Sequence, residues 1–231
     1  MENRLDQNAS EKKELVRFSL RYFLAMLVLF IVIFPFIEQL QYGILILSVL
    51  LSLVLLTALL AIGGRRSTLI WGVILVSLVL ISKWMNYFLP DLMPPEIFLA
   101  LAILFSGFFV LNLLGFILRA SRVTLDILCA AIADYLMLGL LWSFAYQFVA
   151  LAVPNAFVLT VKSATGPLLT GFEAFYFSFA TLMTVGYGDI IPASNVSRML
   201  AVTESVAGVF YVTILVARLV AIYSTEGEKR R

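Results

Sequence analysis

Five consecutive residues, Thr184–Gly188 with the sequence TVGYG, have the types and the spacing to bind a cation, and Asp189 follows them. Glycine adopts left-handed backbone angles at little cost, so Gly186 and Gly188 allow ordinary and left-handed angles to alternate along this segment. The alternation lets successive carbonyl groups point the same way. If several chains meet on an axis, the carbonyl oxygens and the Thr184 hydroxyl form stacked rings that can replace the water shell of a dehydrated cation.

The composition of the whole chain is that of an integral membrane protein. Of its 231 residues, 62% are hydrophobic and 13% are charged, whereas a soluble domain has roughly 45–50% apolar and about 25% charged residues. The single cysteine, Cys129, excludes an internal disulfide and a cysteine metal cluster, and the lack of histidine removes the commonest general base. The net charge is +2 and the basic residues form no patch, so neither nucleic-acid binding nor an enzymatic reaction is expected.

Six apolar runs are long enough to position the TVGYG segment within a membrane, because a spanning helix needs about 20 mostly apolar residues. They cover Tyr22–Ile37, Ile44–Ile62, Thr68–Leu89, Ile97–Leu118, Ile127–Val153 and Val196–Tyr223. Between the last two, Gly171–Thr184 predicts a helix too short to span. Irregular backbone at membrane depth is tolerated only where protein buries it or where it lines a water-filled path. The expected fold is therefore all-α, with six transmembrane helices and a re-entrant pore helix between helices five and six.

The distribution of basic residues predicts the orientation of these helices. Cytoplasmic loops carry an excess of Lys and Arg, and a cytoplasmic N-terminus leaves only Lys83, Lys162 and Arg198 of the 16 basic residues outside. We therefore expect a multi-pass protein of the cell membrane with both termini cytoplasmic and TVGYG on the outer side. The chain then divides into a cytoplasmic N-terminal segment (1–19), a four-helix module (20–118), a helix-compatible interfacial linker (119–126), a pore domain (127–224) and a short cytoplasmic tail (225–231).

In this position, the hexapeptide TVGYGD resembles the selectivity-filter signature of the potassium channel family, and the resemblance covers roughly residues 127–223. It implies that the chain assembles as a homotetramer among membrane lipids, because four filter segments are needed to close a ring, and that K⁺ is the permeant ion. It further implies that K⁺ is bound by the backbone carbonyls of Thr184, Val185, Gly186 and Tyr187, and by the Thr184 hydroxyl. The residues that the resemblance places in support of the filter are Gly188, Asp189 at the outer mouth, Tyr176 and Phe177.

The chain departs from the family pattern at the pore helix. Many family members carry a glutamate four residues before the first filter threonine, where this chain has Ala180. Glu204 in the sixth helix either braces the filter in its place or makes a structural bond between helices, since a buried acid needs a partner.

Gly208 in the sixth helix lies twenty residues after Gly188 and matches the gating-hinge glycine of the family, with close packing as the alternative. After it, Val209, Val212 and Val216 recur at helical spacing and are candidates to line an inner cavity. Asp134 and Arg218 both lie toward the cytoplasmic side, where they are candidates for a cross-helix pair, while Arg218 is equally suited to bind lipid headgroups.

The leading hypothesis is a K⁺-selective channel without steep voltage dependence. A voltage sensor needs several charges within the membrane, and the run Ile97–Leu118 in the fourth helix has none. Two alternatives stay open. One is a non-conducting channel-like subunit or regulator, and the other is a secondary transporter, which would require paired broken helices in inverted repeats.

Overall fold

The computed structural model describes residues 2–37, 40–61, 66–90, 92–160, 169 and 171–228, with side chains between residues 19 and 224. Lys162 and residues 229–231 of the predicted tail lie outside the described residues. Within the described ranges the elements follow one another as α1 (Glu2–Ile37), α2 (Gly43–Ala61), α3 (Arg66–Phe88), α4 (Pro95–Leu118), α5 (Leu125–Ala152), β1 (Phe157–Leu159), α6 (Gly171–Leu182), β2 (Ile190–Pro192) and α7 (Asn195–Glu228).

Six of these helices are long and apolar enough to cross a membrane. The candidate spans are Ser19–Ile37, Gly43–Ala61, Arg66–Phe88, Pro95–Leu118, Leu125–Ala152 and Asn195–Ser224. Helix α6 has 12 residues, and at a rise of 1.5 Å per residue it is about 18 Å long, too short to span. The all-α, multi-pass fold class predicted from the sequence is therefore confirmed.

The polar linker between α4 and α5 is not a helix, although its sequence is compatible with one. Helix α4 ends at Leu118 and α5 begins at Leu125, with a turn and extended backbone between them. Thr124 has extended angles, and its hydroxyl accepts a hydrogen bond from the amide of Ile127 (3.4 Å). This is the geometry of an N-cap. The linker residues next to α5 therefore form the start of that spanning helix and do not form a separate interfacial helix.

Helix α5 lies at the centre of the fold and packs against α1, α4, α6 and α7. Aromatic contacts also join α1 directly to the pore helix α6: the ring of Phe34 lies 6.0 Å from that of Phe172 and 5.6 Å from that of Phe175, both edge-on. Near the start of the α1 span and of α5, Arg21 of α1 forms a salt bridge with the buried Asp126 of α5 (3.0 Å). The four-helix module and the pore domain of one chain therefore share a core.

A short pair of strands joins the segment after α5 to the segment before α7. Strand β1, before the pore helix, runs antiparallel to β2, after the filter segment, with Phe157 opposite Pro192 and Leu159 opposite Ile190. The hydroxyl of Ser197, in the first turn of α7, donates to the carbonyl of Ala156 (2.7 Å). These strands were not predicted from the sequence, because three-residue strands are too short for an alternating pattern to appear.

Candidate functional site

The chain turns sharply where the pore helix α6 ends and the filter segment, Thr184–Gly188, begins. The Thr184 amide donates to the carbonyl of Thr181 (2.9 Å). The amides of Val185 and Gly186 both donate to the carbonyl of Ala180, at 2.8 and 3.3 Å. These bonds attach the start of the filter segment to the last turn of the pore helix through its N–H groups, which leaves its carbonyl groups free of that contact.

Backbone angles alternate along the filter segment. The angle φ is positive at Thr184 (56°), Gly186 (59°) and Gly188 (82°), whereas Val185 and Tyr187 between them have ordinary negative values. The glycines predict this alternation at two of the three positions. Thr184 extends it by one residue, and a left-handed β-branched residue is a genuine outlier. Such strain persists only where surrounding structure imposes it, and it is concentrated at functional sites.

The two filter glycines are required by backbone angle and not by crowding within the chain. A Cβ built on Gly186 or Gly188 would meet no heavy atom within 4 Å. Val185 and Tyr187 are likewise exposed in the single chain. The filter segment therefore has its angles set by its own residues and by the pore helix, with its surroundings open to other molecules.

The C-terminal end of the filter segment is contacted by Tyr176 and by Thr160, the residue that follows β1. The rings of Tyr176 and Tyr187 are stacked, with centroids 5.9 Å apart and planes 9° from parallel. Partial desolvation, together with the neighbouring Asp189 carboxylate, raises the pKa of the Tyr176 hydroxyl to about 12, so it remains a protonated donor at neutral pH. The carbonyl of Asp189 accepts hydrogen bonds from the amide (2.9 Å) and the hydroxyl (2.8 Å) of Thr160.

Phe177 lies on a different side of the pore helix from Tyr176. Its buried ring packs edge-on against Tyr146 of α5 (4.8 Å) and Phe157 of β1 (5.6 Å). Of the two predicted aromatic supports, the structure therefore brings Tyr176 to the filter segment and Phe177 to the core behind the pore helix.

Glu204 lies behind the pore helix, fully buried, and joins three helices. One carboxyl oxygen accepts a hydrogen bond from the Tyr146 hydroxyl of α5, and the other lies 2.6 Å from the Ser178 hydroxyl of α6. That hydroxyl is also 2.7 Å from the carbonyl of Gly139. The acid predicted in the sequence as a brace or a helix–helix link thus contacts the pore helix itself, four residues from Leu182 where that helix ends.

Removing this carboxyl is expected to destabilise the protein. Glu204→Ala removes the carboxyl to which the Tyr146 hydroxyl donates and leaves the Ser178 hydroxyl with the Gly139 carbonyl alone, and a buried donor that loses its acceptor costs about 1–3 kcal/mol. Glu204→Gln keeps an acceptor for Tyr146 and a polar partner for Ser178, so we expect a much smaller effect. Thermal unfolding of the purified protein measures both changes. The matched control is Thr203→Ala, an exposed neighbour on the same helix. Equal stability of Glu204→Ala and Thr203→Ala would contradict the proposed network.

Two glycines let the pore helix approach its neighbours closely. A Cβ on Gly208 of α7 would lie 2.5 Å from the carbonyl oxygen of Leu182 and 2.9 Å from its Cδ1 atom. A Cβ on Gly139 of α5 would lie 2.6 Å from the ring of Phe179. In this conformation Gly208 acts as a packing glycine. Gly139 was missed by the sequence analysis, since a lone helical glycine gives no indication of what it contacts.

The remaining predicted residues of α7 lie away from the filter segment. Val209, Val212 and Val216 are exposed in the single chain, whereas Tyr211 among them is buried against α5. Arg218 donates to the carbonyl of Ala120 (3.2 Å) in the linker. It does not pair with Asp134, so the structure does not form the cross-helix pair considered from the sequence.

Comparison with known proteins identifies the segment that holds this site. Residues 135–225 match the protein family described as "Ion channel". A two-pore potassium channel 4 from Arabidopsis thaliana is 41% identical over 49 residues, covering 21% of this chain and 17% of that protein. The voltage-gated potassium channel Kch of Escherichia coli is 38% identical over 50 residues, covering 22% of this chain and 11% of that protein. This segment is therefore similar to ion channels, and the relatives that match it include potassium channels.

A third relative matches over a longer stretch. A human voltage-gated potassium channel regulatory subunit, KCNG1, is 30% identical over 87 residues, covering 37% of this chain and 17% of that protein. The chain thus spans less than a fifth of the length of these curated relatives. No solved structure matches the chain significantly. The match to an ion channel family model points to a membrane channel.

Proposed function

We propose that this chain is the subunit of a K⁺-selective channel in which four identical copies surround one pore. The observation that carries the proposal is the alternation of left-handed and ordinary backbone angles at Thr184–Gly188. In a ring of four chains, the carbonyls of Thr184, Val185, Gly186 and Tyr187, and the Thr184 hydroxyl, replace the hydration shell of K⁺. Carboxylate, thiolate or imidazole ligands are not needed for this, and the described residues contain no cluster of three or more His, Cys, Asp or Glu that could hold a metal ion.

The pore helix and the outer mouth favour a cation in this pore. The C-terminal end of a helix carries about half a negative charge, and α6 ends directly before the filter segment. Asp189 adds a carboxylate at the outer mouth, next to Tyr176. Four copies place four helix ends and four carboxylates around the axis, which raises the local concentration of K⁺ on the outer side.

The exposed apolar side of α7 supports the homotetramer. One chain supplies one quarter of a filter ring, and Tyr187 and Val185 have open surroundings in it. Val202, Val206, Phe210 and Ile214 of α7 are exposed as well. We assign the faces of α7 to the contact between subunits and, at Val209, Val212 and Val216, to the inner cavity. The excess of basic residues at one side of the spans supports a position in the cell membrane with both termini in the cytoplasm.

The proposed channel has no steep voltage dependence. Each charge moved across the membrane is worth about 2.3 kcal/mol per 100 mV, so a sensor requires several of them. Helix α4 has no charged residue between Glu96 and Arg119. Arg21 of α1 is already paired with Asp126, so it does not form part of a transferable array.

One experiment tests ion selectivity and gating together. The purified chain is placed in planar bilayers with K⁺ on one side and Na⁺ on the other, and current is recorded as the voltage is stepped. We expect a reversal potential near that of K⁺ and an open probability that changes little with voltage. A reversal potential near zero would overturn K⁺ selectivity, and a steep sigmoidal conductance curve would overturn the absence of a sensor.

The similarity to the KCNG1 regulatory subunit supports a second candidate, a channel-like subunit that regulates other channels without conducting by itself. K⁺ flux from liposomes that contain only the purified chain distinguishes the two. Flux at the level of one open tetramer per liposome supports the channel. Well-assembled protein that gives no flux in any condition supports the regulator.

A further inference from the structure

A single phenol hydrogen lies beside two acceptors where α5 meets α7. The buried Tyr211 of α7 donates its hydroxyl to the carbonyl of Ala131 of α5 (2.8 Å). Asp134, one turn further along α5, is fully buried. The carbonyl of Ala131 points along α5 toward the turn that holds Asp134, and neither carboxyl oxygen of Asp134 has a hydrogen-bond partner in the described part of the chain.

The helices packed on the side of the four-helix module bring no charge to Asp134. Helix α4 has no titratable residue between Glu96 and Arg119. The span of α1 contains two titratable residues: Arg21, which is paired with Asp126 near the start of α5, and Tyr22, which is exposed.

The pore-domain helices contribute Tyr211 and no charge partner. Tyr135, next to Asp134 on α5, directs its hydroxyl to the carbonyl of Leu182 (3.5 Å) at the end of the pore helix. On α7, Glu204 is held by Tyr146 and Ser178, and Arg218 donates to the linker.

These surroundings stabilise the protonated, neutral form of Asp134 over its carboxylate. A carboxylate buried without a charge partner or a hydrogen bond is very costly. The neutral acid carries its own proton, which it can donate to the Tyr211 oxygen while Tyr211 donates to Ala131. Once Asp134 releases that proton to the solvent, its carboxylate becomes the strongest acceptor near Tyr211, because hydrogen bonds to ionised groups are about twice as strong as neutral ones. The phenol hydrogen then turns from Ala131 to Asp134.

We propose that Asp134 is a proton-binding site and that the bound proton determines which group of α5 holds Tyr211 of the inner helix. Tyr211 lies three residues from Gly208, which contacts the end of the pore helix. When the Tyr211 hydroxyl exchanges Ala131 for Asp134, the contact between α7 and α5 therefore changes close to the filter segment. A hydrogen bond of typical net strength shifts the equilibrium between two conformations by about two- to tenfold.

Infrared difference spectroscopy tests the proton site without relying on channel activity. The full chain, labelled with ¹³C in the side-chain carboxyl of aspartate, is reconstituted in lipid and compared between neutral and alkaline pH. We expect a protonated aspartic acid band at neutral pH that disappears as the pH rises, and the label distinguishes it from Glu204. The band should be absent in Asp134→Asn and present in the matched control Asp126→Asn. A wild-type spectrum without the band, or a band that persists in Asp134→Asn, would overturn the proposal.

K⁺ flux over the same pH range tests the consequence for the inner helix, and this arm rests on the proposed function. Wild type and Asp126→Asn are expected to change flux about two- to tenfold where the infrared band disappears. Asp134→Asn, fixed in the neutral form, and Tyr211→Phe, without the phenol hydrogen, are expected to lose that dependence. If both keep the wild-type profile, the switch is overturned even where the band is found. A wild-type protein without flux overturns the channel, and the infrared result then stands alone.

Discussion

Replacing Gly186 with L-alanine is expected to abolish K⁺ flux, and D-alanine at the same position is expected to restore it. Gly186 has a φ of 59°, where an L-residue is disfavoured by about 1–2 kcal/mol. Over four subunits the penalty is about 4–8 kcal/mol, enough to displace the filter segment from its conducting form. D-alanine prefers these angles, and its Cβ replaces the other hydrogen of the glycine.

Semisynthesis gives both proteins with the same side-chain atoms, so they differ only in handedness. The measurement is K⁺ flux from liposomes, followed by the K⁺ over Na⁺ permeability ratio of any variant that conducts. Wild type assembled by the same ligation is the control. Normal flux in the L-alanine protein, or D-alanine as inactive as L-alanine, would show that the backbone angle is not what this position requires.

Gly208→Ala is expected to damage the filter instead of the gate. The added methyl group would lie 2.5 Å from the carbonyl oxygen of Leu182, at the last residue of the pore helix. Because the obstructing atom belongs to the backbone, the helix end must move, and overpacking of this kind costs about 1–3 kcal/mol. We expect a lower unfolding temperature and a reduced preference for K⁺ over Na⁺.

Two further variants separate packing from hinge bending at this position. Gly115→Ala is the matched control, because a Cβ there meets nothing within 4 Å and alanine favours the helix by about 1 kcal/mol. Gly208→Ala combined with Leu182→Ala removes the side-chain contact but keeps the backbone clash, so we expect it to stay impaired. A Gly208→Ala protein with intact selectivity and stability but altered open probability would support the hinge and contradict the packing glycine.

The spanning helices and the backbone angles of the two filter glycines were predictable because each depends on neighbouring residues in the sequence. A spanning helix is recognised from its own apolar run, and the angles at Gly186 and Gly188 follow from the residue type. The left-handed angle at Thr184 was not predictable, since threonine disfavours it. It arises from the turn out of the pore helix, in which Ala180 accepts two successive amides.

The network behind the pore helix could not be predicted for a different reason. Tyr146, Ser178 and Glu204 are separated by 58 and 26 residues in the hydrogen-bonded pairs, and each residue type is common. Only the crossing of α5, α6 and α7 brings them together, and the sequence carries no record of that geometry. Glu204 was recognisable as a buried acid that needs a partner, but its partners were not.

The Glu204 network also has a consequence for the order in which the protein is assembled during synthesis. Tyr146 emerges first, then Ser178, and finally Glu204, whose carboxyl binds both hydroxyls. Lipid can solvate the apolar surfaces of a partly made chain, but it offers no acceptor to a buried hydroxyl. Ser178 can already donate to the Gly139 carbonyl of α5, but the Tyr146 hydroxyl gains its carboxyl acceptor only when Glu204 arrives. Insertion of α7 therefore completes the network that joins α5, α6 and α7.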